Sequence, residues 1–202
     1  MDDLARRVDE EFAEQICVQP GFVSYEFMDC GDGAIMTVSL FGDAEQADAS
    51  RELARRWTEQ NLGGFEFDTL DAMGGRVFVS RAASDMLEAG HPAARHRFAS
   101  MRRYQLRTGS VEELAHLVDE RVADQIAALE GVEAYHTLDC GGGDVLSLTF
   151  MRDQALEGTT DAMAREFVRE HLADFEIERT ETIGGEVIVS RAMALLLEPA
   201  HA

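Results

Sequence analysis

The sequence predicts an α+β fold of amphipathic helices and antiparallel strands, and three observations carry that prediction. Residues 2–82 recur at 112–192 without a gap, so adding 110 to a position in the first half gives its counterpart in the second. In one stretch of each copy the apolar residues return every fourth position, the spacing of a helix face. In another they alternate with hydroxyl residues, the spacing of a strand with one buried face. Self-similarity at a fixed offset is a fold-level signal and outranks local propensity.

The copies match at about a third of their positions. Leu4, Val8, Asp9 and Glu10 return as Leu114, Val118, Asp119 and Glu120, and Gly21 and Tyr25 as Gly131 and Tyr135. The run Gly74, Gly75, Val77, Val79, Ser80, Arg81, Ala82 returns as Gly184, Gly185, Val187, Val189, Ser190, Arg191, Ala192. These matches divide the chain into repeat 1 (1–82), a helical linker (83–101) and repeat 2 with a short C-terminal helix (102–202).

Each repeat opens on a helix whose apolar face is Leu4, Val8, Phe12 and Ile16, or Leu114, Val118, Val122 and Ile126. Ser110 with Glu113 forms a capping-box signature ahead of the second copy. Gly21 and Gly131 end the helices. A strand from Phe22 to Asp29 follows, then a turn at Gly31-Asp32-Gly33 (Gly141-Gly142-Gly143 in the copy) and a strand from Ala34 to Phe41, together a hairpin. In its second strand Met36, Val38 and Leu40 form one face and Thr37 and Ser39 the other; the copy has Leu146, Leu148 and Phe150 against Ser147 and Thr149. A second helix from Ala44 to Leu62 and a last strand over Arg76 to Arg81 complete the unit, with Gly74-Gly75 marking a bend or bulge.

Arg102 to Arg107 reads as a strand opening repeat 2. The order is then β-α-β-β-α-β, that of ferredoxin-like units. Repeat 1 lacks this first strand, because the chain starts directly in the helix. Between the repeats the sequence suggests a short helix from Asp85 to Ala89 and a turn at Gly90-His91-Pro92, and Met193 to Leu197 resembles that helix.

Net charge is −21, and all 18 cationic residues are Arg. Acids are spread along both repeats, so they form a solvated surface rather than a disordered tail. Self-repulsion of this size is screened at molar salt, where the Debye length is about 3 Å, which points to a halophilic host. The cationic footprint of a nucleic-acid binder is absent. No apolar run reaches the ~18 residues of a membrane span, and Met1-Asp2-Asp3-Leu4 carries no signal-peptide pattern, so a cytoplasmic location is expected. Cys17, Cys30 and Cys140 have no second cysteine or histidine at ligand spacing, and no metal site or cofactor is expected.

Pro20-Gly21-Phe22-Val23-Ser24-Tyr25, with a helix before it, a hairpin after it and a closing Gly-Gly-x-Val-x-Val strand, resembles the antibiotic biosynthesis monooxygenase-like proteins of the dimeric α/β-barrel superfamily. The resemblance implies two ferredoxin-like units facing each other through their sheets, here a pseudo-dimer within one chain or, in addition, a homodimer. It also implies cofactor-free oxidation of a small aromatic or quinol-type molecule. The same family contains haem-degrading relatives and proteins without known chemistry, so fold does not fix function. A non-catalytic barrel binding a small apolar ligand or a protein partner is the alternative, and a haem-binding variant the third.

On the second helix Leu53, Ala54, Trp57 and Asn61 share a face, as do Met163, Ala164, Phe167 and His171. Trp and Asn side chains contribute to the active sites of the related oxygenases, so Trp57 and Asn61, with His171, are the catalytic candidates, and Phe167, Tyr25, Tyr135 and His136 the substrate-binding ones. Each has a packing explanation as well. An aromatic residue at helical spacing fills a core, a polar residue near a helix end bonds backbone, and a strand tyrosine buries its ring. Arg81 and Arg191 read as structural ion pairs.

Overall fold

A computed structural model describes residues 1–65, 72–84, 86 and 97–202. Helix α1 comprises Asp2–Arg7, a π-helical turn Val8–Phe12, and Ala13–Ile16. Strands β1 (Phe22–Gly31) and β2 (Ala34–Phe41), helix α2 (Ala44–Asn61) and strand β3 (Arg76–Ala82) follow. The second half consists of β4 (Arg97–Leu106), α3 (Val111–Val118, a π-helical turn Asp119–Ala123, and Asp124–Ala127), β5 (Val132–Gly141), β6 (Asp144–Met151), α4 (Leu156–His171) and β7 (Ile177–Ala192). A 3-10 turn, Ala194–Leu197, closes the chain.

Local chemistry fixes the ends of these elements. The Ser110 Oγ accepts from the Glu113 amide at 3.0 Å, and the Asp43 carboxylate caps α2 through the Gln46 amide at 2.9 Å. In the hairpin turns Gly31, Asp32 and Gly33 have φ of 82°, 50° and 79°, a left-handed run that favours glycine and tolerates Asp. Asp29 and Asp139 brace these turns by accepting from the Gly31 and Gly141 amides.

All seven strands join in one antiparallel sheet, in the order β2-β1-β7-β4-β6-β5-β3. The sequence suggested a sheet for each half. Instead, the last strand of each half leaves its own hairpin and pairs with the hairpin of the other: β3 lies against β5, with Ser80 opposite His136, and β7 against β1, with Ser190 opposite Glu26. Glycine permits the approach. A Cβ on Gly185 would come 2.5 Å from the Asp29 carbonyl oxygen, and one on Gly75 would overlap the Asp139 carbonyl. The bulges lie just beyond these pairs, at Val77/Val79 on β3 and opposite Val187/Val189 on β7.

Strand β4 begins at Arg97, five residues before the expected start, because Phe98 to Met101 continue its pairing with β6 and β7. Strand β7 likewise runs through Gly184-Gly185, since its first residues pair with β4. The suggested helix from Asp85 to Ala89 and the turn at Gly90-His91-Pro92 lie outside the described residues, apart from Met86.

The sheet is curled. From Met193, whose amide donates to Val23 on β1, eight residues reach Ala200, which pairs with Ser80 on β3. With a 3-10 turn included they span about 18 Å. Five strand spacings of a flat sheet would need about 24 Å.

Helices pack on the convex face. Leu4, Val8, Phe12 and Ile16 are buried with Trp57 against β1, and Leu114, Val118, Val122 and Ile126 with Phe167 against the second half. The concave face gathers Met36, Val38 and Leu40 with Leu146, Leu148 and Phe150, so the alternation read from sequence is realised. Met86 and Leu196, 110 positions apart, are both buried in this inner cluster.

Candidate functional site

Between the convex face of the second half and helices α3 and α4 lies a cavity of about 50 Å³. Helix α3 contributes Leu114, Val118, Val122 and Ile126, and α4 contributes Ala164, Phe167 and Val168. The sheet side is polar: Arg102 and Tyr104 from β4, Tyr135 and Thr137 from β5, Ser147 from β6. Space of this size holds three or four water molecules, at about 10–15 Å³ each, or a dioxygen molecule.

Arg102 sets the electrostatics. Its side chain is buried, at 1% exposure, although a guanidinium stays charged in any protein environment. One terminal nitrogen donates to the Thr160 Oγ1 at 3.0 Å and approaches the Glu157 carbonyl at 3.4 Å. Its Nε has no hydrogen-bond partner and lies 3.6 Å from the Asp161 carboxylate. Asp161 is already engaged by Arg179 and, at 2.7 Å, by Arg165. Burial works against its charge, and the Arg179, Arg165 and Arg102 guanidiniums outweigh burial, holding its pKa below the usual carboxylate range. The Thr137 Oγ1, 2% exposed on the same wall, also lacks a partner. Burial raises the pKa of both neighbouring phenols, Tyr135 and Tyr104, with Arg102 pulling each back. The cavity therefore has an apolar body, one shared cation and an unused hydroxyl, an arrangement suited to a small flat anion.

The corresponding space in the first half is filled. Phe12 stands where the second half has Val122, Phe27 where it has Thr137, and Trp57 where it has Phe167. The Phe12 ring packs 5.3 Å from Tyr25 and 5.2 Å from Trp57.

This geometry divides the residues singled out from sequence. Tyr135 and Phe167 line the cavity. Trp57 and Tyr25 belong to the aromatic cluster of the first half, and the Asn61 amide group donates to the Trp57 carbonyl at 2.9 Å, finishing its helix. His171 is exposed at the end of α4, with its ring 5.5 Å from Phe167. His136 is on the opposite, concave face, where its Nδ1 meets the Ser80 hydroxyl at 2.9 Å and its Nε2 has no partner. Burial lowers the His136 pKa to about 4. Its counterpart Glu26 is fully buried near Ser190, and burial raises its pKa to about 8 against the Ser190 hydroxyl and Arg97. Arg81 and Arg191 pair with Asp119 and Asp9, at 2.6 and 2.7 Å.

Sequence reasoning missed Arg102, Tyr104, Thr137 and Ser147. A signal was present: both Phe12→Val122 and Phe27→Thr137 shrink a side chain at positions whose neighbours are retained, which empties a space. Among the described residues no group of three or more His, Cys, Asp and Glu side chains is placed to hold a metal ion.

The fold, a curled antiparallel sheet with helices on one face, is shared with solved structures. A protein described as a "putative monooxygenase" from Fusobacterium nucleatum subsp. nucleatum superimposes with a TM-score of 0.71 at 8% identity, over 95% of this chain and 87% of that one. A second so described, from Lactobacillus acidophilus NCFM, gives 0.62 at 9% identity, over 99% and 93%. An anthrone oxidase-like protein gives 0.57 at 13% identity, over 96% and 85%. At these identities the likeness is one of fold. No family model and no curated protein matches the sequence.

Proposed function

We propose that this protein is a cofactor-free monooxygenase built from two ferredoxin-like repeats, the first without its opening strand, and that only the second repeat works. Its substrate is a small electron-rich phenol, quinol or anthrone bound as the anion. The observation that carries this reading is the buried Arg102, whose Nε makes no hydrogen bond and shares Asp161 with two other arginines, on the same cavity wall as the Thr137 Oγ1, which also makes none.

The chemistry follows from charge placement. Arg102 stabilises the aryloxide over the neutral phenol, raising the electron density of the ring next to space that admits dioxygen. For an anthrone, the ring methylene becomes a carbonyl; one oxygen atom of dioxygen enters the product and the other leaves as water. The substrate supplies the electrons, and Tyr135 and Tyr104, both protonated at neutral pH, serve as hydrogen-bond donors. A ring exceeds the present volume, so its entry displaces Phe167 and Val168.

The alternative is a binding module that holds the same anion without turnover. It is favoured by the absence of any histidine or carboxylate, the usual general bases, from the cavity lining. Oxygen uptake with a panel of quinols and anthrones separates the two. The proposal expects turnover that survives Trp57→Phe and collapses in Arg102→Met. Saturable binding without oxygen uptake would instead establish the binding module.

A further inference from the structure

We infer that the cavity of the second half is also a halide site: a chloride ion binds over Ser147, between the Arg102 guanidinium and the Thr137 hydroxyl, and the substrate anion displaces it. This rests on the reading of the cavity as an anion site and extends it to a ligand that is never transformed.

Strand register arranges the donors. Arg102 on β4 and Thr137 on β5 both stand opposite Ser147 on β6, so the three form one row across adjacent strands. Directly opposed side chains start about 5 Å apart, and all three line the cavity. The Arg102 Nε and the Thr137 Oγ1 are buried and make no hydrogen bond. Orphaned buried donors of this kind are ordinarily satisfied by a bound water or ion. In the first half Thr37, the counterpart of Ser147, stands opposite Phe27. The row there ends in a ring, which donates nothing.

Charge selects an ion over water. Among the described residues Arg102, Arg165 and Arg179 all draw on the one carboxylate of Asp161. Arg165 and Arg179 lie closer to it, and their side chains are 68% and 28% exposed, so solvent ions reach them. Arg102 is the farthest, at 3.6 Å, and its side chain is 2% exposed. It therefore keeps most of a positive charge where bulk water cannot screen it, and buried charges demand a partner. The net charge of −21 opposes anion entry chiefly from the surface, where salt at 0.1 M screens it within about 10 Å.

Shape selects a monatomic ion. The facing walls, Leu114, Val118, Val122, Ile126 and Phe167, offer no side-chain donor. An oxyanion presents several oxygens, and those turned toward these walls would stay unsatisfied. A halide presents one centre, which donors along one side satisfy, and it fits within about 50 Å³.

Urea unfolding of the intact chain, followed by circular dichroism, tests this without turnover. Gluconate replaces chloride at constant ionic strength. Once the site is saturated, each tenfold rise in chloride should lower the unfolding constant of the parent about tenfold. Trp57→Phe should behave as the parent, Arg102→Met should lose the dependence, and Thr137→Val should weaken the apparent affinity at least fivefold. Crystals grown in bromide should show an anomalous peak at hydrogen-bond distance from the Arg102 Nε. Equal chloride dependence in the parent and Arg102→Met, or bromide bound only elsewhere, would overturn the halide site. Where a quinol is oxidised, chloride should raise KM and leave kcat unchanged; a fall in kcat at saturating quinol would overturn the displacement. No chloride dependence, with oxidation that still needs Arg102, would remove the halide and leave the aryloxide reading standing. Chloride dependence without any aryloxide binding would do the reverse.

Discussion

Replacing Glu26 by Gln should change the shape of the stability–pH curve, and the structure gives the size of the effect. The Glu26 carboxyl is fully buried and titrates at about 8 instead of the 4.5 of a free glutamate, burial being the main cause, opposed by Ser190 and Arg97. The folded state thus holds a proton that the unfolded state has released. Stability from this group is complete below pH 4.5 and falls as pH rises, by about 1.4 kcal/mol per pH unit, until the folded state ionises near 8. The full loss is about 5 kcal/mol, a large share of the 5–15 kcal/mol typical of a domain. His136, its counterpart, acts in the opposite sense. Burial lowers its pKa from 6.5 to about 4, so its contribution is complete above 6.5 and lost as pH falls to 4. Between 4.5 and 6.5 the two slopes cancel, and from 6.5 to 8 Glu26 acts alone. Urea unfolding followed through the buried Trp57, at constant salt from pH 5 to 9, reads this directly. Glu26→Gln should match the parent near pH 5 and exceed it by several kcal/mol at pH 9. Parallel curves would refute the buried, neutral carboxyl.

Other consequences concern the cavity and the inner cluster. Phe167→Ala should cost about 3–5 kcal/mol in thermal or urea unfolding and, by widening the cavity, admit ring compounds that the parent binds weakly. Arg102→Met should leave stability nearly unchanged or raise it, because Asp161 keeps Arg179 and Arg165 as partners and an apolar side chain replaces a buried charge. A loss of several kcal/mol in that variant would show Arg102 to be structural. Leu196→Ala and Met86→Ala should each lose about 2–5 kcal/mol in the same assay, since both are buried in the inner cluster; a loss under 1 kcal/mol in Leu196→Ala would show that the C-terminal turn is a loose appendage.

Much of the architecture could be read from the sequence because its signals are periodic. Leu4, Val8, Phe12 and Ile16 have one way to bury themselves on a helix, and Met36, Val38 and Leu40 one way on a strand. The glycine-rich turns after Asp29 and Asp139 demanded left-handed backbone and received it. Exchange of β3 and β7 between the halves was not legible, since pairing partners distant in sequence leave no local pattern; Gly75 and Gly185 hinted only that some backbone comes close. The site was half legible. Tyr135 and Phe167 were found by residue type, whereas His136 was placed one residue from the cavity in sequence and on the far side of the sheet in space, as strand alternation requires. Trp57 drew attention through the family resemblance and its helix face, but the cavity lies in the other half, where smaller side chains made room. Arg102 was hidden within a charged run, and only the parity of β4 turns it inward while Arg103 meets Asp144 at 3.0 Å.

A buried cation at the proposed site selects an anionic ring, and the ionisation of a bound chromogenic phenol measures that selection. 4-Nitrophenol absorbs differently as phenol and as phenolate, so its pKa can be read in the bound state by absorbance titration. With the parent chain and with Trp57→Phe, the bound phenol should ionise at lower pH than the free compound, and in Arg102→Met the shift should vanish. A bound pKa equal to or above the free value in the parent, or a lowered one that persists in Arg102→Met, would contradict the assignment of the cavity as an anion site.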